Sequence, residues 1–171
     1  MLYEDIISTL RNLEIPYQEI THETSTSCEH SKELRKNQWL EWVGSKNIVF
    51  HAKGKFYLVT TLGDKDIKAR NFKHEFGTKD IRFASQEEIT NQTWATIWSI
   101  PPFWFENSEI PLFVDAEIFE NEFFCFNPGV PEKSIQLSTN DLKKVYISLK
   151  NSTKLFDFRN EENKIFIDLM Y

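Results

Sequence analysis

Apolar residues at Ile6, Ile7, Leu10 and Leu13 recur with the period of an α-helix, and Pro16 ends that helix before an extended piece at 17–21. Thr26 and Glu29 stand at capping-box spacing. They predict a second, polar helix running through Lys32, Arg35 and Lys36 to Trp39 or Trp42, ahead of Gly44. Two β-rich runs, 46–52 and 55–62, flank Lys53 and Gly54, which predicts a hairpin. Ala69, Phe72 and Phe76 suggest a third helix with Gly77 as its C-terminal cap, followed by a short strand at 81–83. Ser85 and Glu88 repeat the capping-box spacing and open a brief helix that leads into the uncharged loop TWATIWSIPPFWF.

Further strands are predicted at 111–115, 123–126 and 134–137. Leu142, Val145, Tyr146 and Leu149 then fall at i, i+3, i+4 and i+7. A helix capped by Ser138 or Thr139 can lay that stripe on the sheet. The last twenty residues have room for a small hairpin. Strands and helices alternate irregularly, so the expectation is a mixed α/β fold rather than a regular doubly wound one. No internal repeat or linker divides the chain, and 171 residues suit a single domain, 1–171.

Composition narrows the class. Apolar residues make up 40% and charged residues 27%, a globular balance that excludes low-complexity and disordered classes. Aromatics reach 15%, most of them expected in the core. Cys28 and Cys125 stand far apart with no CxxC spacing, which argues against a disulfide framework or zinc ribbon and for a reducing, cytoplasmic compartment. The amino terminus has no basic n-region or apolar h-region of a secretory signal. The uncharged stretch 91–105 contains Pro101 and Pro102 and is too short to cross a bilayer, so no membrane anchor is expected.

The net charge of −6 argues against nonspecific coating of nucleic acid, DNA included. Yet the charge is uneven. Seven basic residues stand against three acids over 51–79, whereas 106–132 holds seven acids and no Lys or Arg. By itself this describes two solvated faces of opposite sign.

No GxSxG elbow is present, and the four histidines have no partners at informative spacing. Cys28 and His30 would point apart on a helix, so no metal site is expected. The five glycines are isolated, which removes a phosphate loop. Glu87 and Glu88 sit at a helix start, where acids favour the helix dipole. What remains is Gly44-Ser45-Lys46-Asn47, a lysine and an amide just after a glycine bend, entering the hairpin. Such a pair suits a phosphate and a polar backbone group, although an exposed strand-edge lysine is the commoner case.

The order GSKNIVF, KFYLVTTLGDKDI, FGTKDIRFASQEEI, a PPF loop, VDAEI, FNPG and SIQLSTNDL resembles the YbaK/ProX family of aminoacyl-tRNA deacylases, which includes the editing insertion of bacterial prolyl-tRNA synthetases. The resemblance covers about 13–149 and leaves 150–171 as a C-terminal extension. It implies a single domain with a mixed, partly barrel-like sheet and surrounding helices. It also implies trans-editing: hydrolysis of the ester joining a mischarged amino acid to the terminal adenosine of tRNA. That reaction would be substrate-assisted, with neither metal nor other cofactor. The implied partners are the aminoacyl-tRNA acceptor end and a further aminoacyl-tRNA synthetase. By resemblance Lys46 contacts the 3′-end phosphate or ribose, Asn47 helps hold the substrate, and the amino-acid end is bound by a loop carrying Trp98, Ser99, Ile100, Pro101 and Phe103, near Asn127 and Gly129. His22 matches an amino-terminal histidine of the family, with a hydrogen-bonded structural role as its commoner reading.

Two departures mark this chain. Trp98 and Trp104 stand where relatives carry glycine at the two ends of the loop, and Asn127 stands where several carry histidine. The pocket is therefore either reshaped for another side chain or partly filled, leaving a catalytically silent module that binds tRNA or a synthetase. A small-nucleotide binder on the same fold is a third reading. Trp94, Trp98, Trp104 and Phe105 are expected to fold back onto the core, with a stacking platform for RNA bases as the sharper alternative.

Overall fold

The computed structural model describes residues 2–24, 27–36, 44–93, 95–104 and 106–169. Helix α1 (Leu2–Asn12) buries Leu2, Ile6, Ile7 and Leu10, the face that the apolar period marks. Strand β1 (Gln18–Thr21) leads to α2 (Cys28–Lys36), where Ser27 Oγ accepts from the His30 amide. The expected cap at Thr26 and the expected helix end at Trp39 or Trp42 lie outside the described residues.

Strands β2 (Ser45–Ala52) and β3 (Lys55–Leu62) form the predicted hairpin, in register from Ser45↔Leu62 to Ala52↔Lys55. Lys53 and Gly54 both have positive φ (49° and 74°), the combination that a two-residue turn matched to strand twist requires. The third helix is split. A 3-10 turn at Ala69–Phe72 precedes a single turn, α3 (Lys73–Phe76), and Gly77 caps it at φ +67°.

Strand β4 (Ile81–Phe83) precedes α4 (Gln86–Thr93), whose start is a reciprocal capping box: Ser85 Oγ accepts from the Glu88 amide, and Glu88 Oε2 from the Ser85 amide. Beyond the long loop come β5 (Leu112–Asp115), β6 (Phe123–Phe126) and β7 (Lys133–Ser138). Helix α5 (Thr139–Ser148) takes its cap from Ser138, whose Oγ accepts from the Asp141 amide. The chain closes with β8 (Thr153–Asp157) and β9 (Ile165–Asp168).

Among the described residues the strands form a sheet in the order β1-β7-β6 and a mixed sheet in the order β4-β2-β3-β5-β8-β9. Strands β3, β5 and β8 run parallel, so the C-terminal hairpin is built into the main sheet. A parallel bridge between Gly44 and Cys125 joins the two sheets without closing a barrel. Side-chain alternation then separates two cores. Val49 and Leu58 face α1, α5 and the Pro loop, whereas Phe50 and Val59 face an aromatic cluster of Phe72, Phe76, Phe113 and Phe156.

Gly129 fixes the return from β6 to β7. Its φ is +85°, and a Cβ built there would stand 3.2 Å from Leu2 Cδ2 on α1. Gly129→Ala is therefore expected to cost about 1–2 kcal/mol, combining left-handed backbone strain with displacement of Leu2. Thermal melting reads this directly, and an unchanged melting temperature would show that the turn relaxes freely.

Candidate functional site

Among the described residues β2 pairs with β4 only over Phe50–Ala52, and Gly44, just before β2, forms a single bridge to Cys125 of β6, so the start of β2 faces a gap in the sheet. A cavity of about 540 Å³ fills that gap. Its buried apolar side chains are Val49, Ala84, Ile89, Ile100 and Phe126, with Ser134 buried beside them, and its charged lining residues are Lys46, Asp66 and Lys68. Phe83 and Trp98, each 61% exposed, and Ile97 form an apolar lip. Phe83 is not isolated there, because its ring stacks on buried Phe50 at 5.3 Å.

Of the residues singled out in the sequence, Lys46, Asn47, Trp98, Ile100 and Asn127 line this cavity. Lys46 is about one-third exposed. Its Nζ donates to the Lys65 carbonyl at 3.0 Å and stands 4.0 Å from Asp66 Oδ1. The Asn47 amide is spent within the protein: Nδ2 donates to the Ile100 carbonyl at 2.8 Å and to Ser45 Oγ at 3.0 Å, while Oδ1 accepts from Thr60 at 2.7 Å. Asn47 thus ties the Pro loop to β2. Asn127 Oδ1 accepts from the Gly129 amide at 3.0 Å.

Ser99, Pro101, Phe103 and Gly129 do not line the cavity. Ser99 is buried, its Oγ accepting from the Thr96 amide, and Phe103 packs edge-on against Phe126 at 5.4 Å. Pro101 is buried, and Gly129 faces Leu2. The loop accordingly shows Ile97, Trp98 and Ile100 to the cavity and fastens itself to the core with the residues between and after them. Trp104 is buried, whereas Trp94 and Phe105 lie outside the described residues.

Two features escape a reading by local spacing. The first sits behind Lys46. Lys65, whose carbonyl holds the Lys46 ammonium, directs its own Nζ to Asp115 at 2.6 Å and to Glu117. Burial works against the Lys65 charge, but hydrogen bonds to Asp115 and Glu117 outweigh it and raise its pKa above the ordinary lysine value. Second, His22 has a partner 112 residues away: its Nε2 lies 2.8 Å from Ser134 Oγ, and Ser134 lines the cavity. Among the described residues no cluster of three or more His, Cys, Asp or Glu is placed to hold a metal ion, and no helix is long and apolar enough to cross a membrane.

Comparison with known proteins agrees on one family. The profile of the aminoacyl-tRNA editing domain matches residues 25–145. The chain is 26% identical over 148 residues to the multifunctional Ser/Thr-tRNA deacylase ProXp-y of Escherichia coli, covering 84% of this chain and 87% of that protein. It is 22% identical over 156 residues to the prolyl-tRNA editing protein ProX of Acetoanaerobium sticklandii, covering 89% and 94%. In fold it is similar to a crystal structure of a putative trans-editing enzyme for prolyl tRNA synthetase, with a TM-score of 0.70 at 16% identity over 88% of this chain and 93% of that one.

Proposed function

The chain belongs to the family of aminoacyl-tRNA editing domains, and on that premise we propose that it is a trans-acting deacylase that releases wrongly attached amino acids from the 3′ end of tRNA. The observation that carries this reading is the mixed lining of the cavity of about 540 Å³, which combines Lys46 and Lys68 with buried apolar residues. Such a space suits an ester that joins an anionic RNA end to an amino-acid side chain. Editing of this kind is useful because a synthetase pocket separates side chains that differ by one methylene by only about 10- to 200-fold.

In the proposed reaction the Lys46 ammonium binds the terminal phosphate or ribose and offsets charge developing on the ester oxygen. Asn47 acts through the loop, holding the Ile100 carbonyl in place; that oxygen retains a lone pair for the α-ammonium of the substrate. Asn127 borders the amino-acid end. A water polarised by the free hydroxyl of the terminal ribose adds to the ester carbonyl. The acyl–oxygen bond breaks, and the ribose oxygen leaves with a proton as a hydroxyl. The protein supplies orientation and fixed charge, so no metal takes part. The acceptor end is the partner, a synthetase is a further one, and the setting is cytoplasmic. A silent binding module has less support, because Trp98 stands exposed at the lip and leaves the cavity open.

Deacylation of a panel of mischarged tRNAs tests the proposal. The expected result is release of at least one noncognate amino acid at a rate unchanged by a chelator. Binding of every ester without hydrolysis favours the silent module, and a rate abolished by the chelator removes the metal-independent mechanism.

A further inference from the structure

Among the described residues, Ser134 is the one polar side chain of the buried residues that line the cavity; it is 3% exposed and stands with Val49, Ala84, Ile89, Ile100 and Phe126. Its β7 position pairs with Ile20 of β1, and the ladder continues as the His22 amide donates to the Glu132 carbonyl. The backbone therefore fixes the imidazole beside the hydroxyl. His22 Nδ1 lies 2.7 Å from the Glu23 carbonyl, which can only accept, so Nδ1 carries a hydrogen. In the neutral ring Nε2 is then the acceptor, and the Ser134 hydroxyl donates its single hydrogen to it at 2.8 Å. What Ser134 can turn to the cavity is a lone pair.

We propose that the His22–Ser134 pair determines amino-acid specificity, selecting an aminoacyl group whose small side chain bears a hydroxyl over its aliphatic isostere. The proposal rests on the deacylase reading and deepens it. A fixed acceptor in an apolar wall binds a neutral donor and gains nothing from a methyl group of the same size, and an acceptor left unmatched against bound substrate loses its hydrogen bond. The α-ammonium belongs elsewhere. A cation against Val49, Ile89 and Phe126 would be costly, whereas the Ile100 carbonyl, held by Asn47, and the Asp66 carboxylate offer it oxygens.

The test compares seryl with alanyl esters, and threonyl with valyl esters, on one tRNA charged by an acylating ribozyme. Wild type is expected to prefer the hydroxylated member of each pair by about 10- to 100-fold in kcat/KM. Ser134→Ala should bring each ratio to within about threefold, and Ser134→Thr, which keeps the hydroxyl, should preserve it. Ser134→Cys keeps the volume with a weak acceptor and serves if the alanine variant fails to fold. His22→Ala should lower the ratios in the same direction.

A wild-type ratio near one overturns the proposal. So does an equal loss on all four esters, which would mark Ser134 as an anchor or nucleophile common to every substrate. If wild type hydrolyses none of them, the deacylase reading fails separately. Affinities for the nonhydrolysable 3′-seryl- and 3′-alanyl-amide analogues of adenosine then decide: a seryl preference lost in Ser134→Ala supports the specificity role, and equal affinities overturn it.

Discussion

Replacing Lys46 with alanine is expected to lower kcat/KM for deacylation by about 10²- to 10³-fold, the usual consequence of removing one preorganised charge from a transition state. The melting temperature should hardly change. Lys46 gives the fold one hydrogen bond to the Lys65 carbonyl and a long contact to a 94%-exposed Asp66, and exposed pairs of that kind contribute about 0–1 kcal/mol. Lys46→Arg should recover only part of the activity, because a planar fork cannot occupy the position of a compact ammonium held by a single carbonyl. Unchanged turnover in a well-folded Lys46→Ala protein would retire the proposed mechanism.

The elements that local periodicity specifies are those that the sequence made legible. The 46–52 and 55–62 runs carry both strand composition and a turn demanding positive φ, so their pairing needed no long-range information. Ser85 with Glu88, and Ser138 ahead of the Leu142 stripe, announce helix starts through hydrogen bonds made within one turn. The cavity was legible in part, because Lys46 and the Pro loop stand out as residue types in unusual company. Its remaining wall was not. Ser134 looks like an ordinary strand serine until β1 brings His22 beside it, and Phe83 is one of fifteen phenylalanines until an edge strand exposes it. Lys65 and Asp115 are fifty residues apart and resemble surface charges in sequence. Parallel pairing of β3 with β5 is what brings them together, and no local pattern encodes that register.

The largest effect on stability is expected at Asp115. Its carboxylate is 1% exposed and fully used: Oδ2 accepts from Lys65 Nζ and Thr61 Oγ1, both at 2.6 Å, and Oδ1 accepts from the Glu117 amide at 3.0 Å. Asp115→Ala leaves a buried hydroxyl and an amide without their acceptor and the Lys65 ammonium with Glu117 alone, a loss of about 3 kcal/mol given that Lys65 is itself one-third exposed. For a domain of this size that is a fall of roughly 6–12 °C in melting temperature. Asp115→Asn, which keeps one acceptor, should fall between. Because the Lys65 pKa is raised, the ion pair contributes fully below the ordinary lysine range and fades only as pH climbs through the elevated value. The difference between wild type and Asp115→Ala should therefore stay constant from about pH 6 to 9 and shrink at strongly alkaline pH. Activity should fall as well, even at temperatures where the variant is folded, because the Lys65 carbonyl holds the Lys46 ammonium. A variant that melts early yet retains wild-type kcat at low temperature would show that Asp115 supports the fold alone; a loss of kcat that Asp115→Asn partly restores would tie this buried carboxylate to the placement of Lys46.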